Sequence, residues 1–284
     1  MGLVGAHIST SGGLWRVFPR GESIGCEAVQ LFTKNQIQWF ASPLSWNEIY
    51  LFERSWRDSS IGPVVAHASY LINLASPDEP LRLKSVRAMV EELMRCHQLG
   101  IDSIVVHPGS HRGAGEALGL RLAARSLEEV LSRTEELKVR VLLETTAGQG
   151  SQLGYRLEQI RDVISMVERD DSRRRLGVCL DTAHLFAAGY DLDAEGGYER
   201  LIWNAERLFG LEAVGCVHLN DSDRPRGSRM DRHAHIGQGQ MGLTPFRAFL
   251  NDPRLEEVPM VIETPKEDDW DRKNIFLLKK LRGF

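Results

Sequence analysis

Ile104-Val105-Val106-His107 is an apolar run that closes on a histidine, and Val141-Leu142-Leu143-Glu144 repeats the pattern with a carboxylate in the closing place. Val178-Cys179-Leu180-Asp181 and Gly215-Cys216-Val217-His218 repeat it again, so the closing residues fall at 107, 144, 181 and 218, each 37 positions after the last. A strand whose interior is apolar without alternation is covered on both faces, as a parallel strand under helices is. An interval of 37 residues matches one strand, one helix and their loops.

Working outward from these four, similar runs occupy Leu3–His7, Ala28–Thr33, Pro63–Ala68, Ser103–His107, Arg140–Thr145, Gly177–Asp181, Ala213–Leu219 and Pro259–Thr264. Between them lie stretches of helical periodicity. Leu81–Leu99 is the clearest, with Leu83, Val86, Val90, Leu93 and Met94 at helical spacing and Gly100 as a stop. Leu122–Leu137, Leu157–Val167, Tyr198–Phe209 and Thr244–Leu250 also fit, and Thr244-Pro245 reads as a cap followed by a first-turn proline. Eight alternations with no break in composition predict an α/β fold, a single (β/α)8 TIM barrel forming one domain over residues 1–284.

Composition bounds the functions. Hydrophobic residues at 42% and charged residues at 26% suit a water-soluble globular chain. No apolar run approaches the roughly 20 residues that cross a bilayer, and Met1–His7 enters a strand without the basic and apolar regions of a signal peptide. Cys26, Cys96, Cys179 and Cys216 form no CxxC and read as reduced, mostly buried thiols of a cytoplasmic protein. A net charge of −4 argues against holding a polyanion by overall charge, so any grip on nucleic acid must be local.

In such a barrel, chemistry sits where strands end and in the loops that follow. Strands three to eight close on His67, His107, Glu144, Asp181, His218 and Glu263. His184 follows Asp181 by three residues, and in the seventh loop extended geometry turns Asp231 and His233 to one side. Any one of these alone is more often a hydrogen-bonded structural group. Nine at one mouth are different, because four carboxylates crowded there repel unless cations lie between them. Imidazoles and carboxylates without thiolate suit zinc, and less selectively manganese or iron. Nine ligands serve two or three ions if a carboxylate bridges.

The sequence resembles the endonuclease IV family of zinc-dependent apurinic/apyrimidinic endonucleases over nearly its whole length. The resemblance runs from Gly5-Ala6-His7-Ile8-Ser9 through Phe32-Thr33-Lys34-Asn35-Gln36, His67-Ala68-Ser69-Tyr70-Leu71-Ile72-Asn73-Leu74, His107-Pro108-Gly109-Ser110-His111 and Glu144-Thr145-Thr146-Ala147-Gly148-Gln149-Gly150 to Ile262-Glu263-Thr264-Pro265. Its most specific stretches are Gly177–His184 and Asp231-Arg232-His233. It implies three Zn2+ per chain, with Mn2+ admitted at one site. His67, His107 and a bridging Glu144 would hold one ion; Glu144, Asp181, His218 and Glu263 the second; His184, Asp231 and His233 the third. Glu144, Asp181 and Glu263 are then the catalytic carboxylates. His235 rivals His233 on spacing alone but is read as structural or supporting, and His7 and His111 as orienting groups. His97 is read as a partly exposed helix residue.

The implied activity is hydrolysis of the phosphodiester 5′ to an abasic site in double-stranded DNA. It leaves a 3′-hydroxyl and a 5′-deoxyribose phosphate, with removal of 3′-blocking groups beside it. Three Zn2+ would also turn the formal −4 into +2, concentrated where a phosphate must dock. Lys34, Asn35, Gln36, Tyr70, Leu71, Arg229 and Arg232 are the expected DNA contacts, with Tyr70 and Leu71 as a wedge beside a flipped-out nucleotide. Against this, Trp39 and Leu71 can be ordinary packing residues, and the arginines of the seventh loop, Arg224 and Arg226 included, can pair with Asp221 and Asp223. Ile37 stands where the family often has a basic residue, and Thr145 where Asn is common.

Two other functions compete. A sugar isomerase or epimerase needs one ion, and Glu144, Asp181, His218 and Glu263 alone would hold it, but it gives no reason for the other five ligands. A lesion-binding protein without catalysis is expected to lack a bridging ligand, and none is missing. A monomer without membrane association completes the expectation.

Overall fold

Eight parallel strands close on themselves in the computed structural model, which describes residues 1–283. They are β1 (Leu3–His7), β2 (Ala28–Phe32), β3 (Val64–His67), β4 (Ser103–Val106), β5 (Arg140–Glu144), β6 (Leu176–Asp181), β7 (Val214–His218) and β10 (Pro259–Ile262). Two short antiparallel strands, β8 (Asp221–Ser222) and β9 (His233–Ala234), sit in the loop between β7 and β10. The order around the barrel is β1-β10-β7-β6-β5-β4-β3-β2. Closure occurs where β1 pairs with both β10 (Leu3 opposite Pro259) and β2 (Gly5 opposite Ala28). Gly5 permits that closure, since a Cβ there would lie 2.0 Å from the Ala28 carbonyl oxygen.

The helices are α1 (Val17–Ile24), α2 (Trp46–Arg57), α3 (Glu79–Gln98), α4 (Glu116–Ser132), α5 (Leu157–Ser165), α6 (Asp170–Arg174), α7 (Thr182–Ala188), α8 (Gly197–Phe209), α9 (Thr244–Asn251) and α10 (Trp270–Leu281). The main core lies between sheet and helices, with Phe18, Phe52, Phe246 and Phe249 fully buried. A second cluster fills the barrel itself: Val65, Val105, Leu142, Cys179, Cys216 and Val261. That inner plug gives the mouth an apolar floor, which strengthens every charge interaction above it. All four cysteines are free and buried, and no helix among the described residues is long and apolar enough to cross a membrane.

Several boundaries differ from the sequence reading. The third helix begins two residues earlier than Leu81 because Asp78 caps it, its carboxylate accepting from the Leu81 N–H at 3.1 Å. The fourth begins at Glu116, not Leu122, because Gly119 belongs inside it. A Cβ at Gly119 would lie 2.8 Å from the His111 and Leu153 side chains, so the glycine marks close packing and not a loop. Thr244 is no cap: it is the first helical residue after Leu243 and makes no capping bond. The helix α2, absent from the sequence reading, carries a full capping box between Ser45 and Glu48.

Glu27, just ahead of β2, ties the chain's two ends together. It accepts from the Val4 N–H (3.0 Å) and from Arg282 (2.7 Å), and lies 3.2 Å from Lys279. Burial raises its carboxyl pKa, but those donors outweigh burial and hold it at about 2, against an ordinary 4.5. A depressed folded pKa gives stability that is present above pH 4.5 and lost as pH falls toward 2. Glu27→Gln is therefore expected to cost about 1–2 kcal/mol in urea unfolding near pH 7, discounted for its partial exposure, and almost nothing near pH 2.

Candidate metal centre

Glu144 ends β5 fully buried, at 0% exposure, and histidines from four other elements converge on it. His107 Nε2 lies at 3.0 Å, His218 Nδ1 at 3.0 Å, His67 Nε2 at 3.2 Å and His184 Nδ1 at 3.2 Å. Asp181 and Glu263 approach the same place: His218 Nδ1 is 3.3 Å from Glu263 and 3.7 Å from Asp181. Asp231 sits 3.2 Å from His184 Nε2 and 3.4 Å from His233 Nε2.

The strand ends explain the convergence. His67, Glu144, Asp181 and His218 are the last residues of β3, β5, β6 and β7, while His107 and Glu263 lie one residue beyond β4 and β10. His184 comes inward on the first turn of α7, whose cap is Asp181 accepting from the His184 N–H at 2.7 Å. Possible ligand atoms fall together as His67/His107/Glu144, as Glu144/Asp181/His218/Glu263 and as Asp181/His184/His233, each set within 4.8 Å. Asp231 joins the last through its contacts with both histidines.

The far side of each imidazole tests whether cations suit these groups. His67 Nδ1 lies 2.8 Å from the Ala68 carbonyl, His184 Nδ1 2.8 Å from the Thr145 carbonyl and His233 Nδ1 3.2 Å from the Glu263 carbonyl. His218 Nε2 lies 2.8 Å from the Gln30 amide oxygen. A carbonyl only accepts, so each of these nitrogens carries the ring hydrogen and the opposite nitrogen keeps its lone pair. Those lone pairs point at the carboxylates, an arrangement that is repulsive unless a cation or a proton lies between. His184 Nε2 and His233 Nε2 are buried without any hydrogen-bond partner. The residues fit divalent metal, and their outward bonds are the kind that hold metal-binding imidazoles in place.

The electrostatics agree. Burial pushes the His184 imidazole down, but Asp181, Asp231 and Glu144 outweigh it and hold it well above 6.5. The His218 imidazole is raised likewise by Glu263 and Glu144, and that of His67 by Glu144 and Glu263, again against burial. Glu144 and Glu263 go the other way: burial raises them, and the neighbouring histidines hold them well below 4.5. Without metal, Glu144 and Glu263 favour their charged forms and His67, His184 and His218 hold protons more tightly than free imidazoles.

A cavity of about 540 Å³ opens over this cluster, with Tyr70 and Arg232 among its walls. A neighbouring cavity of about 900 Å³ shares Tyr70 and Glu263 with it and extends past His7 toward Arg20, Asn35 and Lys266. The larger cavity flanks the chemistry instead of covering it.

The comparisons with known proteins agree with this geometry. A family model described as a xylose isomerase-like TIM barrel matches residues 18–281. "Probable endonuclease 4" of Chloroflexus aggregans is 49% identical, over 98% of this chain and 96% of its own. The chain belongs to the endonuclease IV family. Among solved structures, endonuclease IV from Thermus thermophilus superposes with a TM-score of 0.86 at 34% identity, covering 98% of each chain. A D-tagatose 3-epimerase-like protein, at 17% identity and a TM-score of 0.75 over 98% of this chain and 96% of its own, shares the fold.

Within this endonuclease IV chain the expected DNA contacts divide. Tyr70 is 57% exposed, edge-on to Phe32 at 5.4 Å, and Asn35, Gln36, Arg229 and Arg232 are exposed. Leu71 is half-buried. Lys34 is a correction: its side chain is 2% exposed, its Nζ 2.9 Å from Glu92 and 3.6 Å from Glu91. It is buried beside two carboxylates, without a hydrogen bond of its own, instead of standing exposed as the sequence reading expects. Trp39 packs against the core with Lys84 over its ring at 4.4 Å, the packing role weighed for it. Arg224 lies 3.4 Å from Asp223 as that alternative has it, but Asp221 instead accepts from the N–H groups of Ser222, Gly237, Gly239 and Met241. Arg226 pairs with Asp193, and Arg229 lies 4.4 Å over the Tyr155 ring.

His235 stacks on Trp270 and bonds Asn274 and Glu267, a structural role. His111 accepts from the Gly115 N–H, and His97 is exposed on α3. Thr145 has a positive task here, its hydroxyl accepting from the Asp181 N–H at 2.9 Å. Two groups escaped the sequence reading. Asn220 donates to Asp181 (2.7 Å) and accepts from the Glu263 N–H (2.7 Å). Gln30 bonds His218, Glu263 and His7. The available signal for Gln30 was a carboxamide inside an otherwise apolar strand.

Proposed function

We propose that this chain hydrolyses the phosphodiester 5′ to an abasic site in double-stranded DNA, leaving a 3′-hydroxyl and a 5′-deoxyribose phosphate. It does so as a monomeric, cytoplasmic, one-domain enzyme holding three Zn2+, with Mn2+ accepted at one site, and it also removes 3′-blocking groups. Family membership makes it a DNA-cleaving hydrolase that uses metal; the finer statements are the reading that its site supports best. The observation that carries it is the mouth itself, where nine metal-capable side chains meet and four imidazoles have their lone pairs already turned inward.

His67, His107 and Glu144 would hold one ion, Glu144, Asp181, His218 and Glu263 a second, and His184, Asp231 and His233 the third. Zinc held there supplies Lewis acidity toward a phosphodiester and lowers the pKa of water. The apolar floor below Glu144 and the histidines around it shield its carboxylate from bulk water, leaving it at 0% exposure. Asn220 and Thr145 fix Asp181 so that its carboxylate keeps one orientation. Tyr70, exposed at the rim that both cavities share, stands where an unstacked nucleotide would need an aromatic face. Arg232, exposed in the wall of the smaller cavity, and Arg229, exposed over the Tyr155 ring, would meet backbone phosphates.

The test is incubation with a duplex carrying one abasic analogue, with and without a zinc chelator, scoring the ends by mass. Incision 5′ to the lesion that the chelator abolishes is the expected result. Purified protein is expected to carry about three zinc ions by elemental analysis. About one ion per chain would move the reading to a single-metal epimerase, whose ligand set is Glu144, Asp181, His218 and Glu263.

A further inference from the structure

Of the four imidazoles held from behind, three lean on backbone carbonyls, which the fold supplies regardless of side chain. His218 alone leans on a side chain. Gln30, the third residue of β2, is at 0% exposure inside the barrel. Its Oε1 lies 2.8 Å from His218 Nε2, and its Nε2 lies 2.6 Å from Glu263 Oε1 and 3.0 Å from His7 Nδ1. The three partners come from β7, from the residue after β10 and from β1, so one carboxamide links four points of the barrel wall.

The orientation of that amide is determined by its partners. Gln30 Nε2 lies 2.6 Å from Glu263 Oε1, and a carboxylate oxygen accepts. The NH2 end of Gln30 must therefore face Glu263, which turns the oxygen toward His218. An oxygen facing His218 Nε2 requires the hydrogen on Nε2 and leaves Nδ1 as the lone pair, 3.0 Å from Glu144 and 3.3 Å from Glu263. The second amide hydrogen then makes His7 Nδ1 an acceptor. A hydrophobic residue would fill the same space at lower desolvation cost, so a buried amide with every bond directed at the site is placed for the site.

We propose that Gln30 is a positioning residue for the ion held by Glu144, Asp181, His218 and Glu263: it selects the His218 tautomer that can bind metal and aims the Glu263 carboxylate. This rests on the metal reading of the mouth given above. Removing such a supporting bond lowers metal affinity by about 10- to 100-fold.

Two variants test it, Gln30→Met, which keeps the volume and removes both bonds, and Gln30→Glu, which keeps an acceptor for His218 but sets a second carboxylate against Glu263. Metal-free protein is titrated with Zn2+ against a chromophoric chelator, and the His218 tautomer is read from long-range 1H–15N spectra at alkaline pH. In Gln30→Met, one ion is expected to weaken by about 10- to 100-fold while the others hold, with His218 becoming a mixture of tautomers. Gln30→Glu is expected to weaken the same ion while His218 keeps its hydrogen on Nε2, and it carries the test if the Met variant does not fold. Excess Zn2+ restores activity in both, which a folding defect would not allow. Native affinity at every ion in Gln30→Met, an equal loss at all of them, or an unchanged His218 tautomer overturns the proposal. A wild-type protein that takes one ion would sink the three-zinc reading alone, since the Gln30 variants would still weaken that ion.

Discussion

Glu144→Gln is expected to slow incision at an abasic analogue by about three orders of magnitude, roughly 4 kcal/mol of activation free energy, while leaving DNA affinity within a few fold. The size follows from position. Glu144 is fully buried, and four imidazole nitrogens lie within 3.2 Å of its two oxygens, so no neighbouring carboxylate can move in to replace it. An amide offers one neutral oxygen where two charged ones stood, and its NH2 would face inward lone pairs and cations at once. Any ions that Glu144 helps to hold would lose a charged ligand. DNA affinity is expected to survive because Tyr70, Arg229 and Arg232 are exposed while Glu144 is fully buried, so the change leaves the surface that DNA would meet intact. Single-turnover incision with excess enzyme separates the two effects from a binding assay on the same duplex. A variant that incised at the native rate would remove Glu144 from the bridging role.

The strand ends were legible because two independent signals coincide at each. An apolar run shows where a strand stops, and a metal-capable residue at that stop in six consecutive strands places the site at the mouth. The rest was less legible for reasons that lie in the packing. Helix α2 did carry marks, a capping box at Ser45 and Ile49, Phe52 and Trp56 at helical spacing, but only Phe52 is fully buried and exposed Trp46 and Tyr50 interrupt the polar face. Lys34 reads from sequence as a phosphate grip because the carboxylates beside it, Glu91 and Glu92, arrive from α3, far along the chain. Gln30 and Asn220 are neither metal ligands nor members of a spaced pattern. Their partners Glu263, His218 and Asp181 become neighbours only when the barrel closes. Sequence therefore shows which side chains would touch metal more readily than which hold those side chains in place.

Stripping the metal is expected to abolish incision and to lower the melting temperature by on the order of 15–30 °C without unfolding the barrel at room temperature. Three ions, each present at 100 times its dissociation constant, would stabilise the folded state by about 8 kcal/mol, and a chain of this size shifts by roughly 2–4 °C per kcal/mol. The barrel survives because its inner plug and helix-covered core involve none of the ligands' charged ends. What replaces the ions is protons, and this gives the effect a pH dependence of definite sign. His67, His184 and His218 have folded pKa values raised above 6.5 in the metal-free protein. Groups raised in this way stabilise the stripped fold fully below pH 6.5, and the contribution is lost as pH rises through their folded values. Metal has the opposite preference, since it needs the same nitrogens without their second proton. The gap in melting temperature between loaded and stripped protein should therefore widen as pH rises above 6.5, with the stripped form falling and the loaded form steady. Thermal unfolding of both forms across that range reads it directly. A gap that narrowed with rising pH would mean that protons and metal do not share these nitrogens.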